Sequence, residues 1–181
     1  MSEELIIRHC SPTLAGMKTA NMFSCPCENA EEMKEKLRFF NRILSKKGLR
    51  LLPLRLQKGR ALIYLYRPAQ LGRDLQHRDA FRLLQERGYC CRTPERCIFH
   101  LRQRLAETED FPHEIGLFLG YPPEDVEGFI QHKSPTLSGP WKVYGDPLPA
   151  QKRFDQYKKC TAVYCAKWQK GRSLEKLTVA S

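Results

Sequence analysis

LRLLPLRLQKGRALIYLYRP, residues 49 to 68, holds two short apolar runs, Leu49 to Leu56 and Ala61 to Tyr66, separated by Gln57-Lys58-Gly59-Arg60. Runs of this length bounded by a glycine-containing connection are the pattern of a β-hairpin. Pro68 closes the second strand because it has no N–H to give to a ladder. On either side the period changes to that of a helix. Upstream, Asn29 with Glu32 three residues later is a capping-box-like start. Met33, Leu37, Phe40 and Leu44 then recur at helical spacing up to Lys46-Lys47-Gly48, which predicts a helix over 29–47. Downstream, Leu71 to Arg87 reads as a helix interrupted near His77 and stopped by Gly88. Thr93 is placed to cap another that begins with Pro94 and turns one face, Cys97, Leu101 and Leu105, inward.

Past a turn-rich stretch, Ser134 to Pro140, the residues Trp141 to Tyr144 read as a third strand closed by Gly145-Asp146-Pro147. Phe154, Tyr157, Thr161, Tyr164 and Trp168 mark a long helix over 149–170. The expected class is α+β: a small, mainly antiparallel sheet of about three strands covered by several helices. A chain of 181 residues suits a single domain over 1–181.

Composition narrows the classes further. With 41% hydrophobic and 28% charged residues the chain is that of a folded protein rather than a disordered one. No apolar run approaches the roughly 20 residues that span a bilayer, and Met1-Ser2-Glu3-Glu4 is acidic where an export signal is basic, so a cytoplasmic location is expected. The 8 cysteines then read as reduced thiols. Cys25-Pro26-Cys27, Cys90-Cys91 and the Cys97/His100 spacing do not make a four-ligand zinc pattern, and no metal site is expected.

The formal net charge is +11, and it is sorted along the chain. Residues 1–33 hold 2 Lys/Arg and 5 Asp/Glu, 34–104 hold 19 and 5, 105–130 hold 0 and 7, and 131–181 hold 10 and 3. Two basic segments flank an acidic one, which implies a basic face rather than a uniform coat.

The acidic segment contains FPHEIGLFLGYPPEDVEGFI, residues 111–130. Gly116, Gly120, Val126 and Phe129 have the spacing of a helix-glycine-helix corner near residues 112–131. A DNA reader would need donors on the second helix, but that helix offers Glu124, Asp125 and Glu127, which repel phosphate and suit a helix N-terminus instead. His113 and Glu114, with Asp110 as a helix cap, are candidates for acid-base work or simple helix-start residues.

A second motif, Cys10-Ser11-Pro12-Thr13-Leu14-Ala15-Gly16-Met17-Lys18, reads either as an ordinary helix start or as an anion site. In the second reading Ser11 caps the helix, Thr13 and Lys18 add a hydroxyl and a charge, and Cys10 is the thiol best placed for reactivity. Its echo in Ser134 to Gly139 is coincidence. A third, Trp141 to Asp146, is a half-buried strand or places Lys142, Tyr144 and Asp146 at a site rim.

CSPTLAGMKTANMF, FPHEIGLFLGYPPEDVEGFI, WKVYGD and FDQYKKCT, in this order, resemble a family of bacterial, mostly anaerobe, proteins known as domain of unknown function 3793, over nearly the whole chain. The resemblance brings no activity, cofactor or catalytic residue with it. It implies a link to redox or iron physiology, because genes of that family lie near flavodoxin and ferrous-iron transport genes.

Three functions are expected in order. The first is a cytoplasmic binding or accessory protein whose basic face engages an acidic protein partner, such as a flavodoxin-type protein, or an anionic small ligand near Ser11, Thr13 and Lys18. The second is an enzyme acting on a phosphorylated or carboxylated substrate through Cys10 or His113 and Glu114. The third is a non-specific nucleic-acid binder using the basic segments.

Overall fold

The computed structural model describes residues 1–90, 93–107 and 110–180. In chain order the elements are α1 (Glu3–Leu14), β1 (Ala20–Pro26), α2 (Ala30–Leu44), β2 (Arg50–Gln57), β3 (Arg60–Tyr66), α3 (Pro68–Gln76), α4 (Arg78–Glu86), α5 (Pro94–Glu107), α6 (Ile115–Phe118), α7 (Pro123–Ile130), β4 (Leu137–Ser138), β5 (Lys142–Val143), α8 (Pro147–Gln169) and α9 (Leu174–Leu177). The class is α+β. Two compact units divide the chain: residues 1–69 with 159–181, and residues 70–158.

Unit 1 is built on a three-stranded antiparallel sheet in the order β1-β3-β2. The quoted hairpin supplies its central strand, β3, and one edge, β2. Gln57 pairs with Arg60, leaving Lys58 and Gly59 as a two-residue loop with φ of 51° and 70°. Two successive positive φ values match the twist of the flanking strands, the reason such loops favour glycine. Every residue from Ala61 to Tyr66 is buried, so the continuous apolar run belongs to a central strand covered on both faces. Pro53 sits beside a register shift on β2, an edge strand, where a missing N–H is tolerated.

Helix α2 follows the predicted pattern. Asn29 accepts hydrogen bonds from the Glu31 and Glu32 N–H groups, and Met33, Leu37, Phe40 and Leu44 are buried. Asn41 ties the helix to β2, donating to the Leu51 carbonyl at 2.7 Å and accepting from the Leu51 N–H at 2.9 Å. The core of the unit joins these residues to Ile6, Ile7, Cys10 and Leu14 of α1 and to Leu174 and Leu177 of α9.

The sheet departs from expectation in one strand. Its third member is β1, whose polar Asn21 and Ser24 break the apolar pattern, as an edge strand allows. Trp141 to Tyr144 does not join that sheet. Only Lys142 and Val143 are extended, paired with Leu137 and Ser138 in a separate two-stranded ladder in unit 2. Elsewhere in unit 2 the helical break falls at His77, between α3 and α4, and Pro94 opens α5, with the Thr93 carbonyl accepting from the Cys97 N–H as a capping residue does. Cys97, Leu101 and Leu105 point inward. A small apolar cluster of Trp141, Val143, Ala150 and Phe154, flanked by Tyr121, Leu137 and Tyr157, holds the β4/β5 ladder to α8.

Candidate functional site

The Cys10–Lys18 motif closes α1 rather than opening it. Ser2 is the N-cap, followed by Glu3 and Glu4 in the first turn, and the helix runs through Pro12 to Leu14. Ser11 therefore presents no free N–H groups. Its hydroxyl is fully buried and donates to the Ile7 carbonyl, while the Thr13 hydroxyl donates to Asn21 Oδ1 at 2.7 Å. What the helix end exposes is carbonyls, and these call for a cation. Arg67, itself 4% exposed, supplies it: Nε donates to the Thr13 carbonyl at 2.8 Å, and one terminal nitrogen donates to the Leu14 and Val179 carbonyls at 3.0 and 2.8 Å. The Val179 N–H returns to the Leu14 carbonyl at 2.9 Å.

The anion site expected at Ser11, Thr13 and Lys18 is thus replaced by an internally capped helix C-terminus. Cys10 is wholly buried, and burial pushes its thiol far up, so it is held as an unreactive thiol. Lys18 is buried too, which lowers its ammonium to about 8 despite the opposing influence of Cys10.

The helix-glycine-helix corner forms as the spacing requires. Gly120 turns the chain at φ +72°, and Gly116 lies where a Cβ would come within 2.8 Å of Val126. Asp110 does not cap the first helix; Glu114 occupies that position. Glu114 and His113 serve different neighbours. Glu114 is sealed in the interior, its Oε1 accepting from the Tyr89 hydroxyl at 3.0 Å and paired with Arg104 Nε at 2.9 Å. The His113 ring is exposed, edge-on to Phe129 with centroids 5.0 Å apart, and 6.0 Å from the ring of His132. They do not make an acid-base pair.

Between α6, α7 and β5 lies a cavity of about 250 Å³. His113, Tyr121, Phe129 and Trp141 supply aromatic walls, Asp125 and Lys142 the charged groups. Tyr121 and Trp141 stack at 4.9 Å, and the Tyr121 hydroxyl donates to the Pro140 carbonyl at 3.2 Å. Burial pushes that phenol up to about 12. Asp125 is 5% exposed, with Oδ2 accepting from Trp141 Nε1 and Oδ1 from the Tyr144 N–H, both at 2.8 Å. Lys142 stands with its Nζ 5.3 Å above the Phe129 ring.

Of the three rim residues expected from the sequence, only Lys142 lines this cavity. The Tyr144 ring packs on Gly128, and Asp146 accepts from the Leu148 N–H at the start of α8. Sequence reasoning placed Asp125 at a helix N-terminus, where it is, but missed that it is buried against Trp141 and Tyr144. It missed Arg67 altogether, for a lone arginine after a strand carries no signal of the carbonyls it will meet.

The charge is divided sharply between the units. Residues 1–69 and 159–181 hold 18 Lys/Arg and 7 Asp/Glu, whereas residues 70–158 hold 13 of each, so the whole net charge of +11 belongs to unit 1. From Lys34 to Arg60 there are 10 basic residues and only Glu35 opposing them. Arg38 and Arg42 of α2 and Lys46 in the turn just after it stand four residues apart, all exposed, next to Phe39, which is 52% exposed. Lys34 and Lys36 are paired with Glu31 and Glu32, but among the described residues no ion pair engages Arg38, Arg42, Lys46 or Arg50.

A family model described as Protein of unknown function (DUF3793) matches residues 6–178, and the chain belongs to that family. No curated protein and no solved structure matches it.

Proposed function

Membership of DUF3793 carries no chemistry with it, and we propose from the charge and geometry that this protein is a binding or accessory protein that docks an acidic partner protein on the α2 face of unit 1. The observation that carries this reading is the row Arg38, Arg42 and Lys46, exposed and, among the described residues, without ion pairs, beside the exposed Phe39. Opposite potentials steer such an encounter, and a half-exposed aromatic ring among arginines supplies the apolar anchor that interfaces concentrate at their centres. An acidic protein suits this surface better than nucleic acid, because the helix with corner geometry carries Glu124 and Glu127 where a reader needs donors. A flavodoxin-type protein is the first partner to try, since it is acidic and the family resemblance implies a link to redox or iron physiology.

The test is titration calorimetry with a purified flavodoxin. Affinity should fall at least about tenfold between 20 and 300 mM salt, and the triple variant R38E/R42E/K46E should abolish binding. A salt-insensitive complex, or equal binding by the variant, overturns the reading. So does stronger binding to duplex DNA than to the protein.

Two observations weigh against the enzyme alternative. Cys10 is enclosed, and His113 and Glu114 are directed to separate environments.

A further inference from the structure

The corner cavity lies within unit 2, and its charge points to an occupant of a different kind from the acidic partner. Asp125 is the key group. Both of its oxygens accept a hydrogen bond, one from an indole and one from a backbone N–H, and both donors are neutral. Among the described residues no cation forms an ion pair with it, although it lines the cavity and is 5% exposed. A buried carboxylate in this position makes the space beside it favourable for a positive group and unfavourable for a negative one.

The walls agree. Phe129, Trp141, Tyr121 and His113 surround the space with rings, and ring faces attract ammonium groups through their quadrupoles. The protein itself shows such an attraction, for the Lys142 ammonium rests 5.3 Å above the Phe129 ring. Positive charge at the rim from Lys142 argues for an anion if taken alone. An anion drawn in by it would be desolvated against Asp125, whereas a cation would take the place Lys142 now occupies on the ring.

We infer that the cavity bounded by Asp125, Phe129, Trp141 and Tyr121 is a binding site for a small organic ammonium ion, with Lys142 as the internal cation it displaces. At about 250 Å³ the space falls just below the common range for small-molecule pockets, which restricts the occupant to a compact ion such as an alkylammonium or quaternary ammonium group.

The experiment uses tetramethylammonium chloride as the probe and follows the indole N–H signals of the full-length protein by NMR. The Trp141 signal should move and saturate at millimolar concentrations, while that of Trp168, packed against the core of unit 1, should stay in place. Sodium benzoate and sodium chloride should leave both signals unmoved. Lys142→Met should tighten binding about threefold by removing the competitor, and Phe129→Leu should weaken it about fivefold by removing a ring face. Both substitutions are at exposed side chains, so they read the site without depending on the core, whereas Asp125→Asn also removes structural hydrogen bonds. No saturable movement of Trp141 with tetramethylammonium overturns the inference. Saturation by benzoate instead, or weaker ammonium binding in Lys142→Met, overturns it equally.

Discussion

Arg67 should be felt in several places when it is removed. It closes the end of α1 and holds the Val179 carbonyl, and each bond is of the charge-assisted kind. Arg67→Met is expected to lower the unfolding free energy by about 2–4 kcal/mol in urea titrations. Arg67→Lys should recover only part of this, because an ammonium lacks the fork that reaches all three acceptors. Lys18 gives a prediction of opposite character. Its folded-state ammonium is depressed to about 8 from the ordinary 10.5, so above pH 8 the unfolded chain binds more protons than the folded one. The contribution of Lys18 to stability should therefore rise between pH 8 and about 10.5, by up to about 3 kcal/mol, opposed above about pH 9 by the raised thiol of Cys10. Lys18→Met should flatten that rise, which pH-dependent denaturation of the two proteins would show. Cys10 completes the residue scale. Alkylation of the native protein by iodoacetamide should label exposed Cys90 and leave Cys10 untouched, as peptide mass analysis would reveal.

The elements show why some readings from sequence held and one inverted. The α2 period and the Lys58-Gly59 loop were legible because each residue there obeys one local rule, and the fold agrees with it. Ser11-Pro12 also obeys a local rule, that of a helix start, yet the true start is Ser2 with Glu3 and Glu4, and Ile6, Ile7, Cys10 and Leu14 fall at helical spacing through the proline. Local signals at two places competed, and burial of that apolar row decided between them. The cavity residues were partly legible for a similar reason. Lys142 stood out as a charge beside aromatics, but the burial of Asp125 depends on a strand more than fifteen residues away. At the contact of α7 with β5, a Cβ on Gly128 would approach the Tyr144 ring to 2.4 Å. Gly128→Ala should cost about 1–3 kcal/mol of overpacking, while Gly145→Ala, with nothing within 4 Å, should cost little. Thermal denaturation of the two variants separates these outcomes.

At the scale of the molecule the division of charge was hidden in the linear sequence. The segments from 34 to 104 read as one basic block, but the boundary near residue 70 assigns its first part to a unit with 18 Lys/Arg and 7 Asp/Glu and the rest to a balanced one. Such an imbalance repels itself, and salt relieves it. The melting temperature should climb by a few degrees between about 20 and 300 mM sodium chloride, and R38E/R42E/K46E should reduce that dependence. A melting temperature that falls with salt would show that attractive ion pairs outweigh the repulsion.

The seat of Val179 against Leu14 and Arg67 has a consequence for how the protein is made. Unit 1 needs residues from both ends of its chain, and the second set is translated only after all of residues 70–158. A ribosome therefore releases the sequence-contiguous unit first, while the hairpin and α1 wait, already synthesised, for the segment that completes their core. Any nascent chain stalled near residue 158 would carry that hairpin with Leu174 and Leu177 still missing from its cover, leaving apolar surface exposed to aggregation.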